Sequence, residues 1–444
     1  MDAALLARIQ FAVTIGFHFL FPPTTLGLSL IILILETLYI RTKEDIYKRT
    51  SAFLVKILGL VFVIGTATGI VMEFSFGNNW AEYAKMVGDV FGAPLAAEGV
   101  FAFFLESMFL GVLVFARNKV SEKAYWWSAF FVFFGSHLSG LWIIIANSWM
   151  QTPAGYKIVE IAGKKKAILT NFFEAALNHS TLNRYTHVVL SAWITGGAVV
   201  AAIGAYYLLK KRFEKEAKKL FNVGVIVFII FSLLQLVSGH AGAVKVAETQ
   251  PAKLAAFEGI WKTTTHAQLD IFGIPDEKNK VTRYEIGIPG LLSFLVYWDT
   301  NGEIKGLNEF GKDIPPVLLT YTVYHIMTGL GFFFIFVSLI GIYLYWRKKI
   351  WDTKWFLRLM ILTTPLVYVA VQTGWMAAEI GRQPWIVYNV MKTSEAISKV
   401  VPAGQILFSL IMFIIIYTFL FAIFLKIFFK IIRKGPEENI IQGY

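Results

Sequence analysis

Long apolar runs separated by short polar clusters organise this chain. They lie near 9–40, 52–76, 95–116, 124–149, 185–209, 220–242, 316–346, 355–377 and 403–432. Each is long enough for a helix to cross a hydrocarbon core, which takes about 20 apolar residues. The run 220–242 closes on Gly239, His240 and Gly242, which predicts that its helix ends there. Alternate connections hold the cations: Arg41, Lys43, Lys48 and Arg49; Arg117, Lys119 and Lys123; Lys210, Lys211, Arg212, Lys215, Lys218 and Lys219; Arg347, Lys348, Lys349, Lys354 and Arg358; and Lys426, Lys430, Arg433 and Lys434. The intervening connection 77–94 has only Lys85. Basic loops stay on the cytoplasmic side, so the N-terminus is expected outside and the C-terminus inside. The expected fold is an all-α polytopic membrane protein of about nine transmembrane helices. It forms one membrane domain over 1–444, with a sizeable outer loop, 243–315, between the sixth and seventh helices.

Composition agrees with this pattern. Hydrophobic residues make up 57% and charged residues 16%, against about 45–50% and 25% in soluble domains. A net charge of +12 would suit nucleic acid, but the cations cluster between apolar runs, which points to a lipid bilayer and no nucleic acid. The chain has no cysteine, which excludes disulfides, iron–sulfur clusters and thiolate-bound metal. Arg8 precedes an apolar stretch long enough to stay in the membrane, so no cleaved signal is expected.

Ionisable groups within spans are costly and become functional candidates. His18 falls about 13 Å into the first span at 1.5 Å per residue. Glu98 is expected to open the third span, with Glu106 about 12 Å further in. His187 begins the fifth span, Met327 lies in the outer half of the seventh, and Glu379 closes the eighth. Any one of these could be a packing or interfacial residue. Together, several helices bring His, His, Glu and Met to similar depth, which points to a cofactor site without naming the cofactor. The seven histidines include no pair spaced to stack two haems between one helix pair and no adjacent pair to share copper with a haem. A haem protein with this sequence would need mixed ligands: His/Met for a low-spin electron carrier, or a five-coordinate haem open to oxygen. An ion-coupled transporter would show inverted repeats with broken helices in matching halves, and nine unpaired spans do not.

Several blocks resemble subunit I of cytochrome bd-type quinol oxidases. They are Arg8-Ile-Gln-Phe with His18-Phe-Leu-Phe-Pro-Pro; Gly69-Ile-Val-Met-Glu73-Phe-Ser-Phe-Gly77-Asn-Asn-Trp80; Gly92-Ala-Pro-Leu-Ala-Ala-Glu98-Gly with Phe104-Leu-Glu106-Ser107; Gly135-Ser-His-Leu-Ser139-Gly-Leu-Trp142; Ala146-Asn147-Ser-Trp-Met-Gln151; and Trp375-Met-Ala-Ala-Glu379-Ile-Gly381-Arg382-Gln383-Pro384-Trp385. The resemblance spans nearly the whole chain except 152–180 and 276–314. It implies an enzyme that oxidises quinol at the outer face and reduces dioxygen to water, generating a proton gradient without pumping.

The resemblance also implies site residues. His187 and Met327 match the axial ligands of low-spin haem b558. His18 and Glu379, with Glu98 beside them, match those of two high-spin haems, b595 and a third that is d or b; which residue serves which stays open. Lys253 and Glu258, within Gln250-Pro-Ala-Lys253-Leu-Ala-Ala-Phe-Glu258-Gly, match the quinol contacts. Trp375 is an expected electron bridge and Arg382 a holder of haem propionates. Glu106, Ser107 and Ser139 form an expected proton path to Glu98. The implied partners are a second multi-spanning subunit (subunit II) and, in some assemblies, a small single-span subunit, in a prokaryotic cytoplasmic membrane. Two departures stand out. The family's frequent Arg-x-Met reads His325-Ile-Met327 here, and the short outer loop, with Gly239-His240-Ala-Gly, resembles the branch sometimes called cyanide-insensitive.

Overall fold

The computed structural model describes residues 2–161 and 163–436; Met1 and 437–444, the ends of the expected domain, lie outside them. Among the described residues, nine helical stretches are long and apolar enough to cross a membrane. The first is broken in two, α1 (Ala3–His18) and α2 (Pro22–Thr42). Proline has no N–H, and its ring clashes with the carbonyl four residues back, here that of His18. The chain turns at Phe19–Phe21, where the Phe21 N–H bonds the His18 carbonyl at 3.0 Å. His18 is thereby a helix end inside a membrane-spanning stretch.

After α3 (Asp45–Asn78) comes one continuous helix in three parts: α4 (Ala81–Ala97), a π-helical segment (Glu98–Phe103) and α5 (Phe104–Phe115). Glu98 lies at the start of the membrane-crossing stretch Pro94–Phe115, as the sequence suggests, although the helix itself begins 17 residues earlier with α4. Segments of π-helix are rare and often mark functional sites. This one starts at Glu98, so regular α-helical spacing does not relate Glu98 to Glu106.

Then follow α6 (Glu122–Gln151), the short α7 (Phe172–Ala176), α8 (Thr181–Lys210), α9 (Glu214–Thr249), α10 (Pro251–Phe257), α11 (Leu291–Tyr297), α12 (Val317–Trp346), α13 (Lys354–Ile380) and α14 (Ala403–Lys434). The predicted stop at 242 is not observed, since α9 runs on to Thr249. Its glycines serve packing rather than a turn: Gly239 faces His187 and Gly242 faces Asn183.

Helix α8 packs on α9 and α13, and α12 packs on the same two helices. These four enclose a core that includes Phe228, Phe334, Phe356 and Met360. Helices α2, α3, α5 and α6 build a second bundle around Leu28, Leu58 and Val132. The bundles join where α2 crosses α8 at Gly27 and Gly196. A Cβ on Gly27 would stand 2.4 Å from the Ala192 carbonyl oxygen and 2.6 Å from the Gly196 Cα, so this crossing excludes side chains.

The basic clusters gather at one end of the bundle, where Arg49 pairs with Glu216 at 2.8 Å and buried Glu36 pairs with Arg117. The other end carries the long connections and three antiparallel hairpins: β1 (Tyr156–Ile161) with β2 (Lys164–Leu169), β3 (Leu269–Asp276) with β4 (Val281–Ile288), and β5 (Trp385–Val387) with β6 (Met391–Lys392). The second hairpin rests on α12.

Candidate functional site

Hydrogen bonding separates the histidines within the bundle. His18 Nδ1 lies 3.0 Å from Thr68 Oγ1 on α3, and that hydroxyl donates to the Ile64 carbonyl at 2.9 Å. His187 Nδ1 lies 2.9 Å from Ser238 Oγ on α9, which donates to the Gln235 carbonyl at 3.3 Å. In both cases the hydroxyl proton is committed to its own helix, so the hydroxyl accepts from Nδ1–H. The Nε2 lone pair then points away from that bond, the arrangement in which histidine serves a metal; at His18 it is available, and at His187 it meets the Gln235 amide at 3.0 Å. His137 differs: Nδ1 faces the Phe133 carbonyl at 2.7 Å and Nε2 accepts from Trp193 Nε1 at 2.9 Å, so both nitrogens are used. His325 places its nitrogens 3.0 Å and 3.1 Å from the carbonyls of Tyr321 and Asp270.

His187 on α8 and Met327 on α12 face the helices these two share. Gly239 of α9 meets the His187 ring, and a Cβ on Gly374 of α13 would stand 2.9 Å from Met327 Sδ. Likewise a Cβ on Gly69 would approach His18 Cε1 to 3.1 Å. Each donor thus packs against a residue without a side chain, where a larger residue would displace it. Gln235 Nε2 sits 3.0 Å from His187 Nε2, and its Oε1 is buried without a partner. Among the described residues no three of His, Asp and Glu converge as a metal site built from protein alone would need. The donors fit haem, which brings four nitrogens of its own and asks the protein for one or two axial ligands.

Glu379 closes α13 amid donors. Asn147 Nδ2 bonds Oε1 at 3.0 Å and Arg382 Nη2 bonds Oε2 at 2.5 Å. Gln151 Nε2 approaches Oε1 at 3.5 Å, while Arg184 bonds Asn147 Oδ1 and, at 3.0 Å, Ser148 Oγ. Lys253 reaches the same group, its Nζ 2.7 Å from Gln151 Oε1. Burial, with Arg184 and Arg382 nearby, pushes the Lys253 ammonium well below its usual range, against the pull of Glu379. Three cations thus share one carboxylate, and Arg382 Nη1 is buried without a partner. Such a surplus suits a carboxylate-bearing ligand. Trp375, one turn before Glu379, lies 6.5 Å from the Phe19 ring that follows His18.

Ser139 Oγ donates to Glu98 Oε1 at 2.8 Å. Glu106 is buried on α5 where Gly135 lets α6 approach its backbone, and its Oε1 has no partner. Ser107 stands apart. Its hydroxyl bonds the Phe104 carbonyl at 3.2 Å, and it lines a lateral groove with Val100, Phe101 and Met108.

Glu258 follows α10, five residues from Lys253, yet sees different neighbours. It is 2% exposed, and neither carboxyl oxygen has a hydrogen-bond partner. The Tyr324 hydroxyl and the Asp270 amide lie close but outside bonding geometry; burial first, then the Asp270 charge, pushes the Glu258 carboxyl up to about 8. Sequence reasoning missed Thr68, Ser238, Gln235 and Arg184. Arg184 alone had a local signal, one helical turn before His187. Asn147 and Gln151 appeared only as family motif residues; their one-turn spacing marks the face that meets Glu379.

Among the described residues, nine membrane-long helices with His, Met and carboxylate side chains between them suit a membrane redox subunit. The profile of the cytochrome bd terminal oxidase subunit I family matches residues 6–436, and the chain belongs to that family. It is similar to the cytochrome bd ubiquinol oxidase subunit 1 of Bacillus subtilis (strain 168), with 38% identity over 99% of this chain and 95% of the relative. To the cytochrome bd-II ubiquinol oxidase subunit 1 of Escherichia coli (strain K12) it is 32% identical, over 98% of this chain and 97% of the relative. The solved bd oxidase from Geobacillus thermodenitrificans superposes with a TM-score of 0.91 at 27% identity, covering 98% of this chain and 99% of that one. The chain is therefore a haem-binding, multi-spanning subunit of a terminal oxidase and works with a second subunit.

Proposed function

We propose that this chain carries the redox centres of a quinol:oxygen oxidoreductase in a bacterial cytoplasmic membrane. Its N-terminus and the 250–316 segment lie outside, and its C-terminus lies inside. The observation that carries this reading is that His18 and His187 each have Nδ1 committed to a hydroxyl, with Nε2 of His18 available and Nε2 of His187 met only by the Gln235 amide. His187 and Met327 hold low-spin haem b558. His18 and Glu379, with Glu98 beside them, serve high-spin haem b595 and a third haem, d or b. When bound, haem would supply the electron transfer and the chemistry for reducing dioxygen to water.

The chain's own side chains do the rest. Arg382, with Arg184 beside it, would hold the cofactor's carboxylates by charge-assisted hydrogen bonds. Lys253 and Glu258 contact the quinol, the carboxylate of Glu258 taking a hydroxyl proton. Trp375 sets an aromatic ring between the α13 end and the His18 end. Protons from inside reach Glu98 by way of Glu106 and Ser139; Ser107, expected on this path, faces the lateral groove instead. Uptake inside and release outside builds the gradient without a pump. A second multi-spanning subunit covers part of the apolar flank, with a small single-span subunit as a further partner. A reduced-minus-oxidised spectrum of the purified oxidase tests the reading. His187→Ala should remove the low-spin signal alone, and an unchanged spectrum would refute the ligation.

A further inference from the structure

The surroundings of Glu258 contain more than a quinol contact. Its buried carboxyl faces α12 and the β3–β4 hairpin, which supply Tyr321, Tyr324 and His325 from one side and Gln268, Asp270 and Glu285 from the other. The Tyr321 hydroxyl is buried and has no partner. A Cβ on Gly273 would stand 2.8 Å from that hydroxyl and 3.4 Å from Asp270 Oδ2, so the two groups flank one gap. Asp270 Oδ1 is occupied, accepting from Gln268 Nε2 at 2.7 Å, which turns Oδ2 to the gap. The Asp270 carbonyl faces His325 Nε2. Across the hairpin, Asp270 pairs in register with Gly287, and Glu285 lies two residues from it on an exposed stretch of β4. Exposure rises along this line: Glu258 is 2% exposed, Asp270 8%, and Glu285 is open to solvent.

We propose that Asp270 is the proton acceptor downstream of Glu258, reached through the Tyr321 hydroxyl, and that Glu285 passes the proton to water. The inference rests on Glu258 being the base of quinol oxidation. Oxidising one quinol to quinone removes two electrons and two protons. The electrons leave to the oxidase's own redox centres. One proton breaks from a quinol hydroxyl and joins Glu258. It moves on to Asp270 and then out through Glu285, which re-ionises Glu258 for the second proton. A buried base with no exit would stay protonated after one transfer and block the next. Graded environments assist the transfer: burial raises the Asp270 carboxyl, and burial with the Asp270 charge raises Glu285, so all three carboxyls sit above their ordinary range.

The test uses the whole oxidase and a short-chain quinol. Asp270→Asn should lower kcat by about 10²-fold, the low end of a proton-transfer contribution. KM, haem content and reduction by dithionite should be unchanged. Asp270→Glu should recover most of the rate, and added acetate should partly rescue Asp270→Ala, which no structural role would allow. Wild-type activity should fall as pH drops below about 8, where Glu258 protonates, and Asp270→Asn should shift that limb. A wild-type rate and pH profile in Asp270→Asn, with Glu258→Gln impaired, overturns the relay. An unimpaired Glu258→Gln overturns the base assignment instead. Should Asp270→Asn fail to assemble, Tyr321→Phe carries the test, since its hydroxyl has no partner to lose; a wild-type rate and pH profile there would refute the route.

Discussion

Thr68→Val and Ser238→Ala probe how each histidine is prepared for its ligand. Thr68→Val keeps the shape of a β-branched residue in α3 and deletes the one hydroxyl that accepts from His18 Nδ1 at 3.0 Å. The Ile64 carbonyl loses a second donor but keeps its place in the helix. The histidine N–H, in contrast, is left unpaired in a half-buried site facing Thr68, which is itself buried, and this costs about 1–3 kcal/mol. At about 1.4 kcal/mol per decade, this predicts a roughly 10–100-fold loss of affinity at that position, the range found when the outer partner of a ligating histidine is removed. Haem-to-protein stoichiometry and the reduced spectrum of the purified oxidase measure it. Thr68→Val should deplete a high-spin haem and spare the low-spin signal, whereas Ser238→Ala at His187 should do the reverse. Thr68→Ser keeps the acceptor and should behave as wild type. Full stoichiometry in Thr68→Val, or equal damage from Thr68→Ser, would refute the reasoning.

Three further outcomes are expected. Met327→Leu conserves volume and removes the sulfur, so it should turn one low-spin haem high-spin with little loss of folded protein; an unaltered low-spin spectrum would exclude the ligand. Glu106→Gln should bind all haems and accept electrons from quinol, yet stall charge separation during oxygen reduction, and wild-type membrane potential at wild-type turnover would count against the relay. Gly27→Val forces a side chain against the α8 backbone, where overpacking costs about 1–3 kcal/mol or more. It should lower the thermal midpoint in detergent, and an unchanged midpoint would show that the crossing can open.

Much of this protein follows from local pattern. Nine spans are legible because each backbone group in lipid must be bonded within its own helix, so apolar run length nearly equals structure. The histidines and Glu379 stand out because polar groups are rare in such runs, and Met327 stands out only by its depth beside them. Helix interruptions were less legible. Pro22 and Pro23 announce the break that makes His18 a helix end, but nothing local announces the π-helical segment at Glu98. Gly239 and Gly242 read as a stop and turned out to be packing surface, because a glycine's role depends on what lies across from it.

Only the tertiary structure decided which polar atoms are committed and which are free. His18, His137 and His187 look alike along the chain, and partners 50, 56 and 51 residues away tell them apart. Lys253 and Glu258 read as one loop pair, yet one joins the Glu379 cluster and the other faces Asp270. Asp270, in a strand that none of the family motifs includes, had no sequence signal at all. Span number and length come from the free energy of single residues against lipid, which is local and additive. Proton and ligand chemistry comes from pairwise contacts within about 3 Å, and those exist only once distant helices have met.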